Sequence, residues 1–334
     1  MKKIYLILSV FAVVFTSCDI DFDVNANWEE VTVVYGLLDA GISEETQQIK
    51  ISKAFLGEMD ALQMAQYADS INFDQDELAV KLIRVKNNGI TDTIVLDEVP
   101  TLRDEGIFND SIIVYTFDNN NFLNSNSEYE LLIKNNITGN QVSSMTNIIS
   151  NFTFDMGEGF PFGFIETWIP GNSSATKFSS TVVTWGNSID NGVQYQIDLI
   201  FNYQEGPKPF DKETAKDKSI IYTTSVLEGT SQFEFEGEKF FNFLKNELVQ
   251  DPLIDRRFLS IDLVMTVGSQ DLKTYRIINE EITGIVQERP QFTNINNGIG
   301  LFSSRFTKTR KGFDLADRTI YYLISIDGLD RNFQ

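Results

Sequence analysis

Histidine is missing from this 334-residue chain altogether, and cysteine occurs once, at Cys18. The first absence removes the commonest general base and the commonest transition-metal ligand. Ser-His-Asp triads, Cys-His dyads, zincin helices and His-ligated metal sites are excluded with it. A single cysteine allows no intrachain disulfide. The most apolar stretch, Ile4–Phe15, is about half the roughly 20 residues that a bilayer-spanning helix needs. Positive charge is scarce: 27 Lys and Arg stand against 48 Asp and Glu, a formal net charge of −21. Such a surface repels nucleic acid, itself a polyanion, and favours solubility. Hydrophobic residues make up 42 % of the chain, enough for packed cores. No catalytic motif is visible, and no cofactor or metal set is assigned. Chemistry built only from carboxylates, Lys, Tyr or Ser stays open, a two-carboxylate glycan hydrolase being the obvious form.

What is present begins at the N-terminus. Lys2 and Lys3 precede the apolar Ile4–Phe15, and Ser17-Cys18 follows. The length of the apolar stretch matches a secretory signal rather than a membrane span. The string Val14-Phe15-Thr16-Ser17-Cys18 resembles a lipobox, although Phe15 and Ser17 stand where Leu and Gly or Ala are usual. Residues 1–17 are thus expected to be a lipoprotein signal peptide, with Cys18 the lipid-attachment residue. Residues 18–30 read as an acidic tether.

The acids of that tether admit two readings. Asp19, Asp21, Asp23, Asn25, Asn27 and Glu30 have the oxygen-ligand spacing of an EF-hand loop, but Val24 stands where the tight turn needs glycine. Asp19, Asp21 and Asp23 directly after a lipid-bearing cysteine also resemble the surface-export signal of Bacteroidota lipoproteins. That second reading is preferred here. The same phylum O-glycosylates Asp-Ser/Thr followed by a small apolar residue, and three tripeptides fit, with acceptors Ser70, Thr93 and Ser111. Each tripeptide also reads as plain turn-to-strand sequence.

From Val31 the chain alternates with period two. Strands are expected at Val31–Tyr35, Gln48–Ser52, Leu78–Val85, Thr91–Leu96, Ile112–Phe117 and Glu128–Ile133. After a Phe-rich passage they resume at Thr181–Trp185, Gln194–Tyr203, Ile220–Ser225 and Leu259–Val267. Glu58–Ala68 reads as a short helix. A second helix is predicted over residues 238–248, where Phe240, Phe241, Leu244 and Leu248 form one stripe. The fold expected is mainly β: two immunoglobulin- or fibronectin-III-like β-sandwich domains, residues 31–150 and 151–334, with one short helical insertion in each. Phe152, Phe154, Phe160, Phe162, Phe164 and Trp168 are expected to form a buried strand face, an exposed aromatic patch being the alternative.

Near the C-terminus, Asn294-Ile295-Asn296-Asn297-Gly298-Ile299-Gly300-Leu301-Phe302 demands turn geometry. Too few glycines, and no following Lys-Ser/Thr, rule out a phosphate loop. This stretch, with Tyr35-Gly36-Leu37-Leu38 and Ile49–Ala54, resembles a family of two-domain Bacteroidota outer-membrane lipoproteins to which no activity is assigned. The resemblance implies a lipid-anchored outer-membrane protein, on the cell-surface side, and a partnership with a TonB-dependent receptor or another outer-membrane complex. The function expected is a non-enzymatic binding or assembly component of a transport, secretion or gliding complex. The alternatives are a carboxylate-based glycan hydrolase, with Trp168 or Trp185 lining its cleft, and a purely structural surface protein.

Overall fold

The computed structural model describes residues 31–42, 46–54, 71–86, 89, 91–102, 111–157, 159–172, 175–186, 189–280 and 291–334. The strands in chain order are β1 (Thr32–Asp39), β2 (Thr46–Lys53), β3 (Leu78–Lys86), β4 (Thr91–Val95), β5 (Asp97–Leu102), β6 (Ser111–Asp118), β7 (Ser127–Asn135) and β8 (Gln141–Asn147). They continue as β9 (Ile165–Thr167), β10 (Lys177–Phe178), β11 (Ser180–Thr184), β12 (Gln194–Pro207), β13 (Lys216–Thr223), β14 (Leu227–Glu228), β15 (Gln232–Glu236), β16 (Ile254–Gly268) and β17 (Gly298–Phe313). Three helices have defined bounds among the described residues: α1 (Gly237–Glu247), α2 (Gln270–Asn279) and α3 (Asp317–Ile324). The protein is mainly β, with several sheets. All three helices lie after residue 150, so the single helical insertion expected there is corrected to three. The helix expected over Glu58–Ala68 falls outside the described residues.

One nine-stranded sheet runs in the order β13-β12-β16-β17-β1-β2-β6-β5, with β14 joining at β12. The first strand pairs with the last: β1 and β17 are parallel, from Thr32↔Gly298 to Asp39↔Arg305. The other pairings in this sheet are antiparallel. A four-stranded sheet, β4-β3-β7-β8, packs on the β5-β6-β2-β1-β17 end. Between them lies a core of alternate residues, among them Val34, Leu38, Ile49, Leu82, Tyr115, Leu131 and Phe302.

The second core lies under the other end of the large sheet. Ile197, Leu199 and Phe201 of β12 and Ile261, Leu263 and Met265 of β16 meet Phe240, Phe241 and Leu244 of α1 there. The covering layer is completed by the two-stranded ribbons β9-β10 and β11-β15 and by α3. Phe152, Phe154, Phe162 and Phe164 are buried in it, while Phe160 is exposed. The Phe-rich passage is therefore core, but not as one strand. It is an irregular strap, held by isolated bridges Phe154↔Trp185 and Phe162↔Leu315 just beyond the ends of β11 and β17. The cores change over between Ile148 and Ile149, whereas the large sheet runs through that point.

Local sequence explains the joints. The apolar stripe of α1 faces the core, and Arg331 donates from its guanidinium to the carbonyls of Lys245 (3.0 Å) and Leu248 (2.8 Å), capping the helix C-terminus. Arg256, almost fully buried, pairs with Glu205 (2.8 Å) and donates to the carbonyls of Arg331 and Val249, pinning the C-terminal segment. The Asn294–Phe302 motif is a structural joint. Asn294 brackets the Phe302 main chain, donating to its carbonyl (2.7 Å) and accepting from its N–H (3.0 Å). Asn296 exchanges main-chain hydrogen bonds with Ser143 of β8, and Ile295 enters the first core.

Candidate functional site: a groove astride helix α2

The large sheet has one face on the cores, so its other face is available. On β1, Val34, Gly36 and Leu38 point inward, which turns Tyr35, Leu37 and Asp39 outward. On β17, Phe302 and Phe306 point inward, which turns Leu301, Ser303 and Arg305 outward. Helix α2 leaves the end of β16 and stands on this outer face. None of its side chains is fully buried. It is held by polar contacts instead. Lys273 pairs with Glu228 (2.6 Å), Arg276 donates to Gln194 Oε1 (3.1 Å), and Asp271 accepts from Asn294 (2.9 Å). At its base the Ser269 and Ser303 hydroxyls lie 2.5 Å apart.

A groove opens on each side of α2. One, of ≈ 460 Å³, runs over β1 and β2 past Tyr35, Thr46 and Gln48. The other, of ≈ 450 Å³, runs over β12 and β16 past Tyr195, Gln196 and Thr266. Leu37, Leu272, Tyr275 and Arg305 line both, so the two are lobes of one site. The rings of Tyr35 and Tyr275 meet edge to face, 6.1 Å apart at 72°. The hydrogen bond with Tyr35, together with burial, pushes the Tyr275 phenol up to about 12, so it stays neutral at physiological pH.

Arg305 is the cation common to both lobes; Arg276, which lines one of them, is paired with Glu228 and Glu280. The Arg305 Nε donates to Asp39 Oδ2 at 3.0 Å, and the Arg305 side chain is 42 % exposed. The Asp39 carboxylate is filled by further donors: Thr307 N–H (3.0 Å), Thr307 Oγ1–H (2.7 Å) and Gly41 N–H (3.0 Å). Asp39 thereby fixes the guanidinium edge-on. The two Nη atoms have no protein acceptor among the described residues.

The acids with clearly perturbed ionisation lie elsewhere. Burial opposes the charge on Glu77, but donors from Asp74 N–H, Asn135 and Lys53 outweigh it and hold the carboxyl below its ordinary value. Burial likewise opposes Glu205, where Lys218 and Arg256 prevail. Arg84 and then Lys86 lower Asp92. Each is a carboxylate stabilised by structural ion pairs. No cluster of three or more Cys, Asp or Glu able to hold a metal occurs among the described residues. Of the neighbouring acids, Glu234 and Glu236 are both exposed on β15, and Glu236 pairs with Lys239. Trp185 is 2 % exposed and packs in the second core, and Trp168 packs against that core. Neither lines the grooves around α2.

Cys18, Asp19, Asp21, Asp23 and Ser70 lie outside the described residues. Thr93 is exposed on β4, in register with Ile83. Ser111 opens β6, in register with Leu102. Thr93 lines neither groove around α2. Of the residues that do make this site, Tyr35 belongs to the Tyr35-Gly36-Leu37-Leu38 stretch and Arg305 closely follows the Asn294–Phe302 stretch, but neither stretch marks a binding residue, and Tyr275 lies in neither. The usable signal was the alternation Tyr35-Gly36-Leu37, which sets Tyr35 and Leu37 on one face, but nothing local links them to Arg305. No described helix is long and apolar enough to cross a membrane. In comparison with known proteins, the chain matches no family model, and no curated protein matches it in sequence.

Proposed function

We propose that this chain is a surface-exposed outer-membrane lipoprotein, anchored through Cys18, that acts as a non-enzymatic binding or assembly component of an outer-membrane complex. Its relation to the two-domain Bacteroidota lipoproteins, and a TonB-dependent receptor as partner, belong to the same proposal. So does the description of both halves as immunoglobulin- or fibronectin-III-like, here joined through a shared sheet. The observation that carries the binding reading is the groove astride α2. It is concave and aromatic, and it holds an arginine whose two Nη atoms have no acceptor among the described residues. The perturbed acids, by contrast, are all locked in ion pairs.

The test is purification of the full-length protein from native outer membrane through a tag after Gln334. A stoichiometric partner, or a bound glycan or peptide, is the expected result. Recovery of the bare monomer alone would sink the reading.

A further inference from the structure

We infer that the groove astride α2 recognises an acidic oligosaccharide, with a uronate carboxylate seated on Arg305. The inference rests on the binding reading above and names the ligand class of that site. Arg305 supplies the anchor. A guanidinium presents donors in a planar fork that matches a carboxylate in bidentate geometry. Asp39 occupies the Nε edge, and the Nη edge is open to the groove. A guanidinium whose Nη edge has no acceptor among the described residues is conspicuous in a chain with 48 acids and a net charge of −21. The acidic surroundings oppose any anion at long range, so a bound uronate is held by close contact at Arg305 and binds more tightly as salt screens the repulsion.

The remaining lining selects a sugar over a peptide. Strands β1, β2, β12, β16 and β17 each have a strand on either side in the sheet order, and the groove lies on the face of the sheet rather than at an outer edge. A peptide laid on that face meets no outer strand edge to extend. Recognition must come from side chains. Gln48 and Gln196, one in each lobe, have carboxamides without a protein partner among the described residues. Each offers both donor and acceptor, as hydroxyl groups require. Tyr35, 44 % exposed, offers a ring for the apolar face of a sugar. Arg305 lines both lobes, so a ligand lying in either one, alongside α2, can seat its carboxylate there.

The test is isothermal titration of detergent-solubilised full-length protein with oligogalacturonate, oligoglucuronate and alginate oligouronates, each beside its methyl ester. At least one oligouronate binds, and its ester binds about 10-fold or more weakly, the scale of a charge-assisted pair. Arg305→Gln shows the same loss, and Arg305→Lys a smaller one. Because Arg305 also contacts Asp39, the ester comparison on unaltered protein and a Tyr35→Ala variant, expected to lose several-fold with its circular dichroism unchanged, stand independently of folding. Failure of every oligouronate to bind overturns the inference, as does an ester that binds equally well. An Arg305-dependent peptide carboxylate, with its amide as control, binding in place of the glycans overturns it too. If native purification yields a partner while no oligouronate binds, this inference falls and the binding function stands. If an oligouronate binds but nothing co-purifies, the assembly role falls instead.

Discussion

Gly300 is where the last strand presses closest on the first, and Gly300→Ala should be among the most damaging single-methyl changes in the protein. The residue pairs with Val34 in the parallel β1–β17 ladder. Its φ is +117°, a conformation that L side chains rarely adopt. A Cβ there would overlap the Val34 carbonyl oxygen and lie 3.0 and 3.1 Å from the Val34 C and N atoms. These are main-chain atoms of a paired strand, so no side-chain rotation relieves the contact. Backbone strain alone costs about 1–3 kcal/mol. Parting two interior strands adds to it, giving a loss of about 3 kcal/mol or more. Gly312→Ala isolates the strain: its φ is +80° with no atom within 4 Å, so it should cost about 1–2 kcal/mol. Urea unfolding measures both, through the midpoint at constant slope. Tryptophan fluorescence should register the Gly300 effect although Trp168 and Trp185 belong to the other core. That is because β17 serves both cores. A Gly300→Ala variant no less stable than Gly312→Ala would refute the close-packed parallel joint.

Other outcomes follow from the same packing. Phe302→Ala, removing a fully buried ring that the last strand lends to the first core, should cost about 3–5 kcal/mol by urea unfolding. Arg256→Ala should cost about 3 kcal/mol, because Glu205 loses its buried partner and the C-terminal segment its anchor; limited proteolysis should then trim the tail first. Glu77 has a folded-state value below its ordinary 4.5, so its contribution is complete above pH 4.5 and is lost as pH falls through the folded value. Glu77→Gln should flatten that acid limb when urea midpoints are measured against pH.

Sequence pattern showed elements with one apolar face. Strand β3 alternates visibly, and the Phe240-Phe241-Leu244 stripe marks α1 within a residue of its observed start. Strand β17 was read only as a turn-rich closing motif. Its Arg305–Lys311 portion is mostly basic and polar, because the ladder with β16 and one buried ring, Phe306, rather than burial of both faces, hold it in place. Helix α2 escaped notice because it buries no side chain and so needs no apolar stripe. Strand β5 contains Pro100, which sequence logic demotes from a ladder, and it indeed lies at the sheet edge. The groove was illegible for a topological reason. Asp39 and Arg305 meet from 266 residues apart, and only the parallel closure of the sheet brings them together.

The most direct test of the binding account compares what the native outer membrane yields to the tagged wild-type protein and to its Tyr35→Ala and Arg305→Gln variants, each checked for folding and surface level. If the groove astride α2 is where this protein engages its ligand, the wild type recovers a bound glycan or stoichiometric partner, and both folded variants lose most of it. Equal recovery by all three would contradict the account and move the site elsewhere on the molecule.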